Sequence, residues 1–373
     1  MRFVALDKQH GQIGEELTEA FSRLLRTSAY TLGTELEQFE AEFAGYCETG
    51  ECVGVSSGTA ALSLVLRAAG IGPGDEVIVP AHTYIASALG AVHAGATPVL
   101  CDVDEATGLI DPVAARAAIT PRTAAIVAVH LYGQMCDMYA IADVAKPHSL
   151  FVLEDAAQAH GALHNGRRAG SVGHAGAFSF YPSKNLGALG DGGAICTDDE
   201  MLAARLRRLR NLGQRTKGEH VELGFNERLD GLQAALLRVK LPHLNAWNDA
   251  RRARAQRYRE LLAADVTLLE ERSESPCVYH LMPARFQDRD QVSAALQARG
   301  IETGVHYAQA VDEHPALEGI VSLGGEISVA RAWAAEELSL PMHPALSTDD
   351  VEYVAEAVID VMSTTANRGA ARC

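Results

Sequence analysis

Seven short apolar runs punctuate residues 52 to 198: CVGVSS (52–57), EVIVPA (76–81), TPVLCDV (97–103), AAIVAVHL (124–131), LFVLED (150–155), AGAFSFY (175–181) and GAICTD (193–198). They are rich in Val, Ile and Phe, and each ends on polar residues or glycine. Their hydrophobicity is nearly continuous rather than alternating. Between them lie helix-compatible segments, TAALSLVLRAAG (59–70), TYIASALGAVHAG (83–95), PVAARAAIT (112–120) and MYAIADVAKPH (138–148). A strand that is apolar on both faces must be covered on both faces, and strands alternating with helices pair in parallel. The pattern therefore predicts an α/β fold built on a large, mostly parallel sheet. Such sheets bind ligands at the carboxyl ends of their strands.

After about residue 200 the pattern changes. Arg-, Leu- and Ala-rich helices are expected from 200 to 263, a strand in CVYHLMPARF (277–286), and helices near 290–299 and 348–362. We expect a large α/β domain over residues 1–240 and a smaller α+β domain over 241–373, a division that suits 373 residues of which 48% are hydrophobic. The formal charge of −16 opposes binding to nucleic acid or to an anionic membrane. The arginine clusters RLRRLR (205–210) and RRARAQRYR (251–259) read as solvated helix faces and subunit contacts. The seven cysteines, at 47, 52, 101, 136, 196, 277 and 373, include no C-x-x-C pair. They read as reduced, buried thiols of a cytoplasmic protein, with no metal site. The charged N-terminal stretch is no signal peptide. The most apolar window, 77–100, is broken by Pro80, His82, His93 and Pro98, so it is not expected to span a bilayer.

Three features fall at predicted strand ends. In SSGTAALSL (56–64) a Ser-Gly-Thr turn opens a helix whose free N–H groups suit a phosphate, although Ser and Thr caps also start ordinary helices. In LFVLEDAAQAHGA (150–162) Asp155 ends a very apolar strand; it is either a poorly hydrated carboxylate needing a cation or a helix N-cap. In SFYPSKNLGALGDGGAI (179–195) Lys184 follows a strand and precedes a run of glycines. It is either a surface cation or an amine held where its pKa falls and it becomes nucleophilic. A phosphate cradle, a carboxylate for a cationic ring nitrogen and a Schiff-base lysine at one sheet edge are the requirements of pyridoxal 5'-phosphate (PLP). Tyr84, after another strand end, could stack on the ring.

The chain resembles the DegT/DnrJ/EryC1/StrS sugar aminotransferases, of the aspartate-aminotransferase fold (type I of the PLP-dependent transferases). The resemblance rests on SGTAAL (57–62), GPGDEVIVPAHTY (72–84), HLYGQ (130–134), EDAAQAHGA (154–162), FSFYPSKNLGALGDGGA (178–194), GFNERLDGLQAALLRVKL (224–241) and LPMHP (340–344). It implies that Lys184 bonds to the PLP aldehyde and later moves protons, and that Asp155 pairs with the ring nitrogen. Gln158 would lie by the ring's phenolate oxygen and Tyr84 on its face. Gly58, Thr59 and Ser179 would hold the phosphate, joined by Asn226 from the neighbouring subunit of a homodimer. Tyr181, His306 and Tyr307 are candidate sugar contacts, with Lys217 and His220 from the partner.

The implied reaction is amino transfer from L-glutamate to a nucleotide-linked, dTDP-bound keto-deoxyhexose. YPSKNLGALGDGGA resembles enzymes acting at C3 rather than C4. Transfer at C4, a keto-cyclitol acceptor and a non-catalytic PLP-binding regulator are the alternatives. Sugar dehydratases of this fold carry histidine in place of the lysine, so Lys184 argues against them. The Ala- and Arg-rich composition suits an antibiotic or surface-glycan pathway in a GC-rich bacterium.

Overall fold

A computed structural model describes residues 1–370, with side chains through residue 364. All seven predicted strands form, as β1 (Glu51–Val55), β2 (Glu76–Pro80), β3 (Thr97–Cys101), β4 (Thr123–Val129), β5 (Phe151–Asp155), β6 (Ala175–Ser179) and β7 (Gly193–Thr197). Two further strands, β8 (Thr267–Leu268) and β9 (Met282–Arg285), lie in the tail. They are followed by β10 (Ser322–Leu323) and β11 (Glu337–Leu340). The main sheet has the order β1-β7-β6-β5-β4-β2-β3-β10. Only β7 runs against its neighbours, β1 and β6; every other pairing is parallel. The apolar runs are buried on both faces, as continuous hydrophobicity requires.

Alternation along β6 is what aims one functional side chain. Phe178 and Phe180 are fully buried and pack edge-on against Phe43, at ring separations of 5.0 and 5.3 Å. Each such pair is worth about 0.5–1.5 kcal/mol beyond its buried area. Because successive residues of a strand face opposite sides, Ser179 between them points the other way, towards the ends of β1 and β5.

The tail differs from its expected pattern in two places. The helices expected from 200 to 263 are Glu200–Leu209, Gly231–Lys240 and Leu244–Leu262. Residues 210–230 instead form a turn and a short hairpin, Gln214–Thr216 with Glu219–His220. Leu212, Gly213 and Gly218 take positive φ there, which no helix admits. Likewise only the second half of 277–286 is a strand, because Tyr279 turns the chain with φ 44°. The strands β8, β9 and β11 form a small antiparallel sheet, and the helix Leu244–Leu262 packs on Thr348–Ala370. We propose keeping the domain division at 240/241 on these grounds, with β10 alone crossing back to pair with β3.

Six cysteines are buried and unbonded to one another by disulfides; Cys373 lies outside the described residues. Among the described residues no helix is long and apolar enough to cross a membrane. The arginine clusters are not uniformly solvated. Arg205 and Arg208 pair with Glu222, and Arg207 with Glu51, but Arg210 and Arg251 are buried.

Candidate active site

The carboxyl ends of β2, β5 and β6 and the turn after β1 surround a cavity of about 500 Å³. Gly58, Thr59, Tyr84, Asp155, Gln158, Ser179, Tyr181, Lys184, His306 and Tyr307 all line it. These are ten of the residues singled out from the sequence, drawn from five separate segments.

Lys184 stands on a turn that doubles back after β6. Its N–H donates to the Tyr181 carbonyl (2.9 Å), and the Ala188 N–H donates to the Phe180 carbonyl (2.8 Å). The turn is too tight for a side chain at Gly187, where a Cβ would sit 2.2 Å from the Pro182 oxygen. The buried Lys240 ammonium donates to the Gly187 carbonyl from outside (2.6 Å). Burial pushes the Lys184 amine down to about 8, with the charge of Asp155 opposing it.

Asp155 is not a helix cap; no helix follows β5. Its carboxylate accepts the Ser87 hydroxyl (2.7 Å) and the Ala157 N–H (3.2 Å), and Ser87 lies 2.9 Å from the Thr83 hydroxyl. Burial raises its pKa, with the Ser87 and Ala157 bonds and the Lys184 charge working the other way. Among the described residues it has no salt-bridge partner. A buried carboxylate without a paired cation fits a protonated pyridine nitrogen.

The third part is the start of the helix Gly58–Ala68, capped by the Ser57 side chain, which accepts the Ala60 N–H (3.1 Å). A Cβ on Gly58 would fall 2.7 Å from the Ser179 Cβ. The helix N-terminus and the Ser179 side chain thus press together with no room to spare, a cradle suited to a phosphate. The donor set, the bare Asp155 and the crowded cradle all fit PLP. A Gly58→Ala substitution is expected to weaken PLP binding on the order of tenfold by displacing Ser179. Equilibrium titration of the apoprotein with PLP measures it, and unchanged affinity would count against the cradle.

Around these groups sit the residues expected to meet the ring and the sugar. The Tyr84 ring, half of it exposed, lies 5.2 Å from that of Tyr307. Gln158 is held at both ends of its amide: its Oε1 accepts the Tyr132 N–H (2.6 Å) and its Nε2 donates to the Tyr307 hydroxyl (3.0 Å). His306 stacks on Phe3 at 5.7 Å, and burial lowers it to about 4.

Three singled-out residues do not reach this cavity. Asn226 lines a neighbouring one of about 530 Å³ with Thr31, Ser56 and Arg228, and Asp191 lines both cavities. Lys217 and His220 belong to the hairpin at 214–220, away from both cavities. Arg215 on that hairpin is held by Glu219, whereas Lys217 has no ion pair among the described residues. Sequence reasoning missed Ser87 and His280. His280 lines the cavity from the stretch read as a strand, and lies 3.3 Å from the side chain of Asn185, next to Lys184.

The sequence model of the DegT/DnrJ/EryC1/StrS aminotransferase family matches residues 11–359. A curated relative, "dTDP-3-amino-3,4,6-trideoxy-alpha-D-glucose transaminase" of Streptomyces venezuelae, is 48% identical over 95% of this chain and 94% of its own. Among solved structures, S. venezuelae DesV in complex with a ketimine intermediate is 47% identical. It superposes with a TM-score of 0.94 over 97% of this chain and 98% of that one. NtdA from Bacillus subtilis with bound cofactor PMP is 31% identical, with a TM-score of 0.91 over 97% of this chain and 85% of that one.

Proposed function

The chain belongs to the DegT/DnrJ/EryC1/StrS aminotransferase family and is an aminotransferase, and from that premise we propose its reaction: PLP-dependent transfer of an amino group from L-glutamate to C3 of a dTDP-linked keto-deoxyhexose. The observation that carries this reading is the meeting of three groups in one cavity. They are the depressed amine of Lys184, the unpaired carboxylate of Asp155 and the crowded helix N-terminus at Gly58. Amination at C3 is supported by the name of the 48% identical relative and by the glycine-rich text after Lys184.

PLP, when bound, supplies an electron-withdrawing ring that stabilises negative charge on the carbon bearing the amino nitrogen. Asp155 keeps the ring nitrogen protonated, because an ionised buried carboxylate favours an adjacent cation. Gly58 and Thr59 N–H groups and the Ser179 hydroxyl would hold the phosphate. Tyr84 would stack on the ring. Gln158, held by Tyr132 and Tyr307, would lie by the phenolate oxygen. Lys184 Nζ would hold the group at its aldehyde and, as a free amine, would be the base that takes a proton from the substrate carbon and gives it back. Tyr181, His306 and Tyr307 shape the space for the sugar.

We further propose a homodimer in which Asn226, Lys217 and His220 complete the partner's site. Asn226 lies outside the Lys184 cavity of its own subunit, and Tyr84, Tyr181 and Leu189 are large exposed side chains. With a chain charge of −16, Lys217 and Arg228, neither of them in an ion pair among the described residues, are cations able to meet an anionic acceptor.

The test is an absorbance titration followed by product analysis. Apoprotein is expected to take up PLP at a rate that rises with pH to about 8 and then levels, since only the deprotonated amine attacks an aldehyde. An ordinary lysine, near 10.4, would give a rate still climbing above pH 9. Glutamate should then shift the cofactor band. Of 3-keto and 4-keto dTDP sugars, the 3-keto compound should yield the amine, located by NMR. A 4-amino product would transfer the assignment to C4. Turnover of a keto-cyclitol alone would make that the acceptor, and binding of PLP without any turnover would leave a regulator.

A further inference from the structure

Glu337 is fully buried at the start of β11, opposite Arg285 of β9. Its Oε2 accepts the backbone N–H of His306 (2.5 Å), and its Oε1 bonds the Ser339 hydroxyl. The same hydroxyl lies 3.0 Å from His306 Nδ1. Gly304 and Ser339 also exchange both backbone hydrogen bonds (3.1 and 2.7 Å). The segment leading to His306 and Tyr307 is thereby fastened along β11, and both residues line the cavity. The imidazole cannot swing away. Phe3 stacks on it, a Cβ on Gly304 would be 2.6 Å from its Cε1, and Tyr132 donates to its carbonyl (2.8 Å). With Nδ1 engaged by Ser339, Nε2 is the ring nitrogen left for a ligand.

One hydroxyl proton is shared along this line, so its direction is a matter of counting. If Glu337 is protonated, it donates to Ser339, Ser339 donates to His306 Nδ1, and Nε2 carries the hydrogen. If Glu337 is ionised, Ser339 donates to it, Nδ1 must carry the hydrogen, and Nε2 is bare. We propose that Glu337 is a positioning residue for the acceptor sugar, acting through Ser339 to make His306 present an Nε2–H donor to the cavity. This rests on the reading that the cavity takes an oxygen-rich nucleotide sugar.

The surroundings keep the acid neutral. Among the described residues Glu337 has no ion pair. Arg285 is drawn to Glu336 and to the Trp333 face, and Arg289 to Asp290 and the Ala334 carbonyl. The remaining titratable neighbours, Tyr132, Tyr307 and His306, are all neutral near pH 7. Burial pushes Glu337 up to about 8, against the pull of Ser339, the His306 N–H and Arg289. Donation from Nε2 is accordingly present below pH 8 and lost as pH rises through it.

The test uses full-length holoenzyme. For the native protein, KM for the nucleotide sugar should rise on the order of tenfold between pH 7 and 9, while KM for glutamate shows no matching rise. Glu337→Gln carries a permanent N–H where the acid carries its proton, so its sugar KM should stay low and flat over that range. Ser339→Ala, which keeps the Glu337 bond to the His306 backbone but cuts the link to Nδ1, should show a sugar KM that no longer changes over that range. Two-bond 15N–1H spectra of 15N-histidine-labelled protein, assigned with His306→Asn, give a readout free of turnover. His306 should pass from the Nε2–H to the Nδ1–H tautomer on raising pH in the native protein, and stay Nε2–H in Glu337→Gln. Identical tautomer titrations in the two proteins would overturn the proposal. The expected tautomer change in a protein that turns over no sugar would instead overturn the functional reading and leave the proton line standing.

Discussion

Lys184→Ala is expected to lower amino transfer by at least ~10³-fold while leaving the protein folded, because the residue is asked to do two things that no neighbour can take over. It is the amine that meets the aldehyde, and it is the base that carries the proton between carbons. The side chain lies at the cavity wall and makes no hydrogen bond among the described residues; the backbone N–H donates to the Tyr181 carbonyl. Truncation therefore removes a desolvated amine that makes no salt bridge; Asp155 loses the Lys184 charge but keeps its Ser87 and Ala157 bonds, and the thermal midpoint should hold. Lys184→Arg should be equally inactive, since a guanidinium stays protonated and cannot serve as either nucleophile or base. Borohydride treatment of the native holoenzyme should leave a pyridoxyl adduct on a peptide containing residue 184 and none in either variant. Mixing Lys184→Ala with Asn226→Ala subunits tests the shared site as well. Activity returning on mixing requires that one intact cavity be assembled from Lys184 of one subunit and Asn226 of the other. Full transamination by Lys184→Ala alone would remove the chemical basis of the assignment.

The site was legible where function is local to a strand end. Ser179 and Lys184 follow a run whose alternation and termination are written in a few consecutive residues, and so does Asp155. Ser87 was not legible. It sits in a stretch correctly expected to be helical, and its value lies in a bond to a carboxylate 68 residues away. The same is true of Glu337, whose four-residue strand has no local signature and whose partners come from residues 304–307. Boundaries failed for a different reason. In 200–263 the apolar spacing is helical on both sides of the hairpin, and the breakage comes from positive φ at Leu212, Gly213 and Gly218. The helix Gly14–Thr27, by contrast, buries Leu17, Ala20 and Leu24, a helical spacing present in the sequence itself. Arginine clusters misled most. Composition treats every arginine in RLRRLR alike, but only contact with another element distinguishes Arg210, which is buried, from Arg207, which is not.

Arg210→Met is expected to cost about 3–5 kcal/mol of stability, a large share of the 5–15 kcal/mol that holds a typical protein folded. Arg210 ends the helix Glu200–Leu209, and its Nη1 donates both to Glu40 Oε1 and to the Gly54 carbonyl (2.6 Å). Glu40 Oε1 also accepts the Gly54 N–H (2.7 Å). Both residues are 6% exposed, so two charges meet one strand residue out of water, with Arg210 Nε left without a hydrogen-bond partner among the described residues. Removing the arginine leaves the carboxylate with a single amide donor and no compensating charge. Removing both, as in Glu40→Leu with Arg210→Met, leaves no buried charge at all, and the double variant should be more stable than the Arg210→Met single despite carrying one more substitution. That non-additivity separates a desolvated pair from lost packing, which would accumulate. Arg207→Met supplies the scale at the surface: its Glu51 bridge is part-exposed and should be worth no more than about 1 kcal/mol. Urea unfolding of Arg210→Met, Glu40→Leu, the double variant and Arg207→Met measures all of this. Gly54 lies in β1 just before the turn at Ser57, so loosening the pair should also weaken PLP binding in Arg210→Met and restore it in the double variant. A double variant no more stable than Arg210→Met would mean that the pair stabilises the fold outright, and that its burial costs less than the geometry implies.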